Sequence, residues 1–173
     1  MCSECRSYLW LFFPHWTLPS RCSRIYALVI GINNYVSLPK LGGAVNDARA
    51  VEEFLKSQMN VTSDRIRLLL DKDASRREIL DALSQLSEDS KINRDDPILI
   101  YYAGHGTELK VPSGWEAGGP DRKIQGICPY DYRREYVDAI PDRTIGGYLD
   151  LICEKKGNNI VFLPILLAAI TVF

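Results

Sequence analysis

The residues best suited to chemistry are one histidine and the two glycines beside it, His105 between Gly104 and Gly106. They follow an apolar run at residues 97–103, which is typical of a strand buried on both faces of a parallel sheet. Glycine lets the backbone turn sharply and approach a ligand closely, and open α/β sheets bind ligands at the carboxyl ends of their strands. An imidazole there can exchange protons near neutral pH. The alternative is a loop histidine without a chemical role.

Strands and helices alternate around this histidine. Apolar runs predict strands that begin at residues 25, 66, 98 and 160. Apolar residues at three- and four-residue spacing predict helices over residues 45–59, 76–86 and 145–152. Ser75 and Glu78 form a capping box before the second helix, and Asp142 or Thr144 is expected to cap the third. This order predicts an α/β fold with a mostly parallel sheet covered on both faces.

Composition limits the classes of partner. The chain has 173 residues, of which 46% are apolar and 25% charged, and its net charge is −1. These values favour one globular domain and argue against nucleic acid or an anionic membrane as a partner. The five cysteines are scattered without the pattern of a disulfide framework, which favours the cytoplasm. The apolar stretch at residues 160–173 is too short for a membrane span of about 20 residues.

The two ends differ from the middle of the chain. Residues 1–24 lack periodicity and are expected to be a poorly ordered appendage, residues 25–163 a domain, and residues 164–173 an apolar tail. A glycine-rich loop is expected from Thr107 to about Ile127. Four residues of the appendage offer an irregularly spaced zinc-site alternative: Cys2, Cys5, His15 and Cys22.

Four segments, taken in order, resemble the caspase-like cysteine peptidases, and most of all the fungal metacaspases. They are residues 26–33, 41–48, 101–106 and 126–132. The resemblance covers about residues 25 to 163 and implies a three-layer caspase-like fold. It implies proteolysis by a cysteine thiolate, in which a histidine assists proton transfer to the leaving amine. A role in cell death is implied by the resemblance alone.

The resemblance also implies roles for particular residues. His105 corresponds to the catalytic histidine, and the N–H of Gly106 to a donor that holds the oxyanion. Asp47 falls where metacaspases place an acid in the substrate pocket, and such a carboxylate favours arginine or lysine before the cut bond. The alternative for Asp47 is a solvated acid at a helix start. Ala44 and Ala103 are expected to line the same pocket, where many metacaspases have serine at the position of Ala103.

The nucleophile of the family has no counterpart here. It is expected at the end of the fourth strand, about 50 residues or more after the histidine, yet no cysteine follows Cys153. Cys153 and Cys128 are both expected to be structural. The chain is therefore expected to be C-terminally incomplete, with residues from Pro164 on foreign to the family, and inactive. A second hypothesis is a pseudo-peptidase that binds peptides or a full-length relative without cutting.

No cofactor is expected. Many metacaspases bind calcium, but the loop after His105 offers only Glu108, Glu116 and Asp121, few ligands for a cation that takes six to eight oxygens. The expected partners are protein or peptide substrates with basic residues. A nucleotide-binding α/β domain is disfavoured, because the turn after the first strand is not a phosphate-binding glycine loop.

Overall fold

The computed structural model describes residues 24–110, 123–133 and 136–171. Within these ranges the chain forms six strands and three α-helices. In chain order they are β1 (Tyr26–Gly31), α1 (Ala44–Ser57), β2 (Ile66–Leu70), α2 (Arg76–Glu88), β3 (Ile98–Lys110), β4 (Lys123–Ile127), β5 (Ile140–Pro141), α3 (Asp142–Lys156) and β6 (Ile160–Thr171).

The strands form one mixed sheet in which β3 is the central strand. Its amino-terminal half pairs in parallel with β1, from Ile98 opposite Tyr26 to Ala103 opposite Gly31. Beyond the end of β1, the same edge of β3 pairs antiparallel with β4, which pairs with β5. The other edge pairs in parallel with β6, while β2 lies outside β1. Side chains of β3 pack on both faces of the sheet, which explains its continuous apolar run.

Helices cover both faces, so the fold has three layers. Alternate strand residues point to opposite faces, and they enter two separate clusters. Ala27, Val29, Tyr101 and Ala103 pack with Ala44, Ala48 and Leu55 of α1. Leu28, Ile30, Ile98, Ile100 and Tyr102 pack with buried residues of α2 and α3. The predicted three-layer α/β fold with a mostly parallel sheet is confirmed.

Several local predictions need correction. The third strand does not end near residue 103 but continues to Lys110, and β4 occupies the last part of the expected glycine-rich loop. The N-cap of α3 is Pro141, with no side-chain cap, and not Asp142 or Thr144. At α2 the predicted cap is present, because Ser75 Oγ accepts the N–H of Glu78 at 3.2 Å.

The two ends of the domain are only partly described. The backbone of β6 continues through the boundary expected at residue 164 and ends at Thr171. The origin of residues 164–173 therefore stays a prediction. The appendage and its zinc alternative lie outside the described residues, apart from Arg24. Of the helices described, none is long and apolar enough to cross a bilayer.

Candidate active site

His105 lies in β3 just beyond the last pair with β1, and its side chain is held by the loop that follows β1. The residue is 2% exposed, and Nε2 lies 2.8 Å from the carbonyl oxygen of Pro39. Because a carbonyl oxygen can only accept, Nε2 must carry the proton of this hydrogen bond. Nδ1 is buried and has no hydrogen-bond partner among the described residues. The contacts therefore favour the Nε2–H tautomer, with Nδ1 available to accept a proton.

The loop over His105 is fastened to the end of β2. Asp71 Oδ1 accepts the backbone N–H groups of Asn33 and Asn34 at 2.8 and 2.9 Å. Partial burial of Asp71 opposes its ionisation, but the hydrogen bonds from Asn34 and Asn33 outweigh this effect and lower its pKa. Asp71 has a φ of 46°, a left-handed conformation that aspartate tolerates better than most residues. The carboxylate thus fixes the start of the loop that carries Pro39.

Gly106 lies inside the sheet. It is opposite Ile127 of β4 on one edge and Ala169 of β6 on the other. A Cβ added to it would lie 2.8 Å from Leu166 Cδ1. Leu166 also lines an apolar groove of about 220 Å³ between β4, α3 and β6. A leucine thus fills the space beside the glycine expected to hold an oxyanion, and that role stays a prediction.

The residues expected in the substrate pocket lie on the α1 side of the sheet. Ala44 and Ala103 are both 0% exposed and pack in the core under α1. Asp47 is half-buried in the first turn of α1, near Tyr101. Burial, and to a smaller degree the negative charge of Asp47, raises the pKa of Tyr101. The structure brings these three residues together, but the two alanines face the core and not an open pocket.

Neither described cysteine is placed as a nucleophile. Cys128 is 0% exposed, and its N–H donates to the carbonyl oxygen of His105 at 2.9 Å. Burial raises the pKa of its thiol to about 12, which keeps it in the unreactive thiol form near neutral pH. Cys153, expected in the core, is only partly buried on α3. The placement of Cys128 agrees with a structural role.

Metal ligands do not converge in the described ranges. No group of three or more histidine, cysteine, aspartate or glutamate side chains there could hold an ion. Of the three acids considered for calcium, Glu108 forms an ion pair with Lys123, 2.8 Å from Oε2 to Nζ. Glu116 and Asp121 lie outside the described residues.

Sequence reasoning missed the residues that surround His105. Tyr35 and Pro39 contact its ring, and Asp71 anchors their loop. Tyr102 is predicted only as part of the strand, yet its hydroxyl donates to the carbonyl oxygen of His105 at 2.8 Å. A tyrosine in a loop after a strand is too common to identify a site.

Comparison with known proteins identifies the domain. The family model described as "Caspase domain" matches residues 24–141. The chain belongs to the caspase domain family. It is similar to Metacaspase-6 of Arabidopsis thaliana, with 32% identity over 153 residues that cover 77% of this chain and 41% of the relative. Metacaspase-1 of Plasmodium falciparum is 33% identical over 138 residues, covering 75% of this chain and 21% of that protein.

These matches support membership of the metacaspase group of cysteine peptidases. A third relative, Metacaspase-1 of Saccharomyces cerevisiae, is 32% identical over 123 residues, 67% of this chain and 27% of the relative. The chain therefore spans less than half the length of these curated relatives. Protein GSU0716 of Geobacter sulfurreducens has a similar fold, with a TM-score of 0.59 at 20% identity over 81% of this chain and 48% of that one.

Proposed function

We propose that this protein carries the histidine-bearing part of a caspase-type cysteine endopeptidase. In that reaction a thiolate attacks the peptide carbonyl and the histidine delivers a proton to the leaving amine. The observation that carries the proposal is the state of His105, whose Nε2 is tied to Pro39 O at 2.8 Å while Nδ1 is without a partner among the described residues. Because Nε2 is held by Pro39, the ring has one orientation, and Nδ1 is the nitrogen that can exchange a proton in the proposed reaction.

The proposal extends to the 173-residue chain itself, which we expect to be inactive. The twelve residues of β6 include no cysteine, so this strand supplies no thiolate to attack a peptide carbonyl. An arginyl reporter peptide incubated with this chain should release no more product than with His105→Asn. Hydrolysis that depends on His105 would contradict the inactivity of this chain, although it would support the peptidase chemistry.

The partnership between His105 and a thiol on β6 is tested with Ile165→Cys. Ile165 lies opposite Ala103 and packs with it on the α1 side of the sheet, the side to which the alternation of β3 directs the side chain of His105. An imidazole that takes up the proton of a neighbouring thiol becomes a cation and lowers the thiol pKa. Iodoacetamide should therefore modify position 165 at lower pH than in the double variant with His105→Asn, as followed by peptide mass mapping. Leu166→Cys, whose side chain lies on the opposite face against Gly106, is the control and should react equally with and without His105.

Equal alkylation profiles with and without His105 would contradict the proposed pairing of the imidazole with β6. The position 166 control separates this outcome from a general change in thiol accessibility, because it lies on the same strand but on the other face of the sheet.

The same proposal assigns cleavage after arginine or lysine. Asp47 supports it, because a half-buried carboxylate can pair with a guanidinium through charge-assisted hydrogen bonds. The test is fluorescence anisotropy of a labelled peptide amide ending in arginine, compared with its uncharged citrulline counterpart. The chain should prefer arginine, and Asp47→Asn should abolish the preference. Asp150→Asn, an exposed acid of α3, should leave it unchanged, and equal binding of both peptides would contradict the role of Asp47.

A second candidate is a pseudo-peptidase that binds peptides or a full-length relative. It is favoured by a histidine that is 2% exposed, because a buried imidazole has little contact with a substrate. Binding of the arginyl peptide with its mass unchanged after incubation would favour this candidate. For either candidate we propose a cytoplasmic location, which the free thiols of Cys128 and Cys153 support, and we propose no metal requirement.

A further inference from the structure

A closed circuit of hydrogen bonds links two buried tyrosines, Tyr35 and Tyr102, with the backbone N–H and the backbone carbonyl of His105. The backbone N–H of His105 donates to Tyr35 Oη at 2.8 Å. Tyr35 Oη lies 3.4 Å from Tyr102 Oη. The hydroxyl of Tyr102 donates to the carbonyl oxygen of His105 at 2.8 Å, so the circuit returns to the residue where it began. Tyr35 is 8% exposed and Tyr102 is 0% exposed.

Only one direction of donation fits all of these contacts. An amide N–H can only donate, so Tyr35 Oη accepts from His105, and its own proton can point to Tyr102 Oη. Carbonyl oxygens can only accept, so the hydroxyl of Tyr102 must donate. Its acceptors are the carbonyl oxygen of His105 and that of Cys128, the latter at 2.9 Å. Burial raises the pKa of Tyr35 to about 12 and also raises that of Tyr102, so both hydroxyls keep their protons.

The same tyrosine also contacts the imidazole. The ring centroids of Tyr35 and His105 are 4.8 Å apart, with planes inclined by 57°. Pro39, which accepts from Nε2, lies four residues further along the same loop. One loop therefore contacts the backbone N–H of His105, its ring and its Nε2.

Gly104 makes this arrangement sterically possible. A Cβ at this position would lie 2.4 Å from Tyr35 Oη and 2.5 Å from Tyr102 Oη, much closer than carbon and oxygen can approach without displacement. The glycine before the histidine therefore has a second role besides backbone freedom, because it admits the two hydroxyls to the peptide of His105.

We propose that Tyr35 is a positioning residue for His105: its hydroxyl fixes the peptide of the histidine, and its ring holds the imidazole with Nε2 directed to Pro39 and Nδ1 left bare. The role of Nδ1 in proton transfer rests on the proposed function. The placement of the imidazole by Tyr35 does not, because it concerns the histidine in the resting chain.

The test is NMR of the full 173-residue chain labelled with 15N in its histidine rings. The chain has only two histidines, and a His15→Asn version assigns the signals of His105. In the unaltered chain we expect His105 in the Nε2–H tautomer at neutral pH. In Tyr35→Phe, which keeps the ring and removes the hydroxyl, the amide proton of His105 should exchange at least tenfold faster. The retained ring and the bond from Nε2 to Pro39 should keep the single tautomer, whereas Tyr35→Ala, which also removes the ring, should give a mixture of tautomers.

Tyr26→Phe is the matched control, because Tyr26 is a buried tyrosine (5% exposed) at the opposite, amino-terminal end of β1. It should leave both the exchange rate of the His105 amide and the tautomer unchanged. The amide of Val29, in the core of β1, reports whether each variant is folded. If Tyr35→Phe does not fold, Tyr102→Phe serves in its place, because it removes the hydroxyl that contacts Tyr35 Oη and donates to the carbonyl oxygen of His105, and it should also speed the exchange of the His105 amide.

A folded Tyr35→Phe or Tyr102→Phe chain whose His105 keeps its amide protection, or a folded Tyr35→Ala chain whose His105 keeps its single tautomer, would overturn the inference. None of these measurements requires hydrolysis. Failure of the peptidase proposal would therefore leave the NMR result intact, and a negative NMR result would leave the thiol alkylation test of His105 unaffected.

Discussion

Cys128 and His105 share a hydrogen bond but differ in what burial does to them. The N–H of Cys128 donates to the carbonyl oxygen of His105 at 2.9 Å, and both side chains are nearly inaccessible. The imidazole donates from Nε2 to Pro39 and its Nδ1 has no partner among the described residues, whereas desolvation raises the pKa of the thiol from 9.0 to about 12. Burial thus fixes the orientation of the imidazole and keeps the thiol in its unreactive protonated form.

The raised pKa of Cys128 predicts a loss of stability at alkaline pH. Below about pH 9 the thiol is protonated in both the folded and the unfolded chain. As the pH rises from about 9 to about 12, the unfolded thiol ionises while the folded one keeps its proton. The free energy of unfolding therefore falls, by at most about 1.4 kcal/mol per pH unit for this group. Tyr35, whose pKa is raised from 10.0 to about 12, contributes in the same direction.

Urea unfolding between pH 8 and 11 measures this slope. Cys128→Ala should lower stability at every pH, because it leaves a small cavity, but its stability should decline less steeply with pH than that of the unaltered chain. Parallel curves for the two proteins would show that Cys128 does not titrate as the structure implies.

The sequence predicts the position of His105 in the fold but not the residues that contact it. The apolar run and the flanking glycines are local, and they locate the histidine at the carboxyl half of β3. Its partners depend on the loop from β1 to α1. That loop is fixed by Asp71, which is 37 or 38 residues away from the amides it accepts. A contact of that separation leaves no periodic signal in one sequence.

Helix α1 packs closely against strand β1 at Gly31. A Cβ on Gly31 would lie 2.6 Å from Ala48 Cβ and 2.7 Å from the carbonyl oxygen of Ala44. Because helix backbone cannot retract like a flexible side chain, Gly31→Ala should force α1 away from the sheet. We expect a loss of about 1–3 kcal/mol in the free energy of unfolding, measured from the urea midpoint.

Gly146→Ala is the matched control for this substitution. Gly146 lies within α3, with nothing within 4 Å of an added Cβ, and alanine is better by about 0.5–1 kcal/mol than glycine inside a helix. The control should therefore be more stable than the unaltered chain. A Gly31→Ala chain of unchanged stability would mean that the helix and strand are less tightly packed than the structure indicates.

Elements with a strong local pattern were predicted well, and those that depend on a neighbour were not. The apolar spacing of α1 and α2 and the cap at Ser75 are properties of short segments. The extension of β3 to Lys110 depends on pairing with β4 and β6, and its residues Thr107, Glu108 and Lys110 have no strand pattern of their own. Tertiary pairing therefore determines where this strand ends.

In the described sheet, the edge strands β2 and β6 differ in how well they are protected against association with another chain. β2 has five residues and includes Arg67, which forms an ion pair with Glu78. β6 has twelve residues without a charge. Ile160 and Phe162 pack on the α2 and α3 side, whereas Val161 and Leu163 point to the other face beyond α1 and are 56% and 45% exposed. Long apolar edge strands without charges are prone to association.

This asymmetry predicts that the 173-residue chain associates through the exposed face of β6. Leu163→Lys places a charge in the middle of that face and should raise the concentration at which the protein stays monomeric in sedimentation, several-fold relative to the unaltered chain. Phe54→Lys is the control, because Phe54 is 54% exposed on α1, where a single apolar residue is ordinary on a protein surface. It adds the same charge and should change association little. Equal effects of the two substitutions would show that net charge, and not the face of β6, governs solubility.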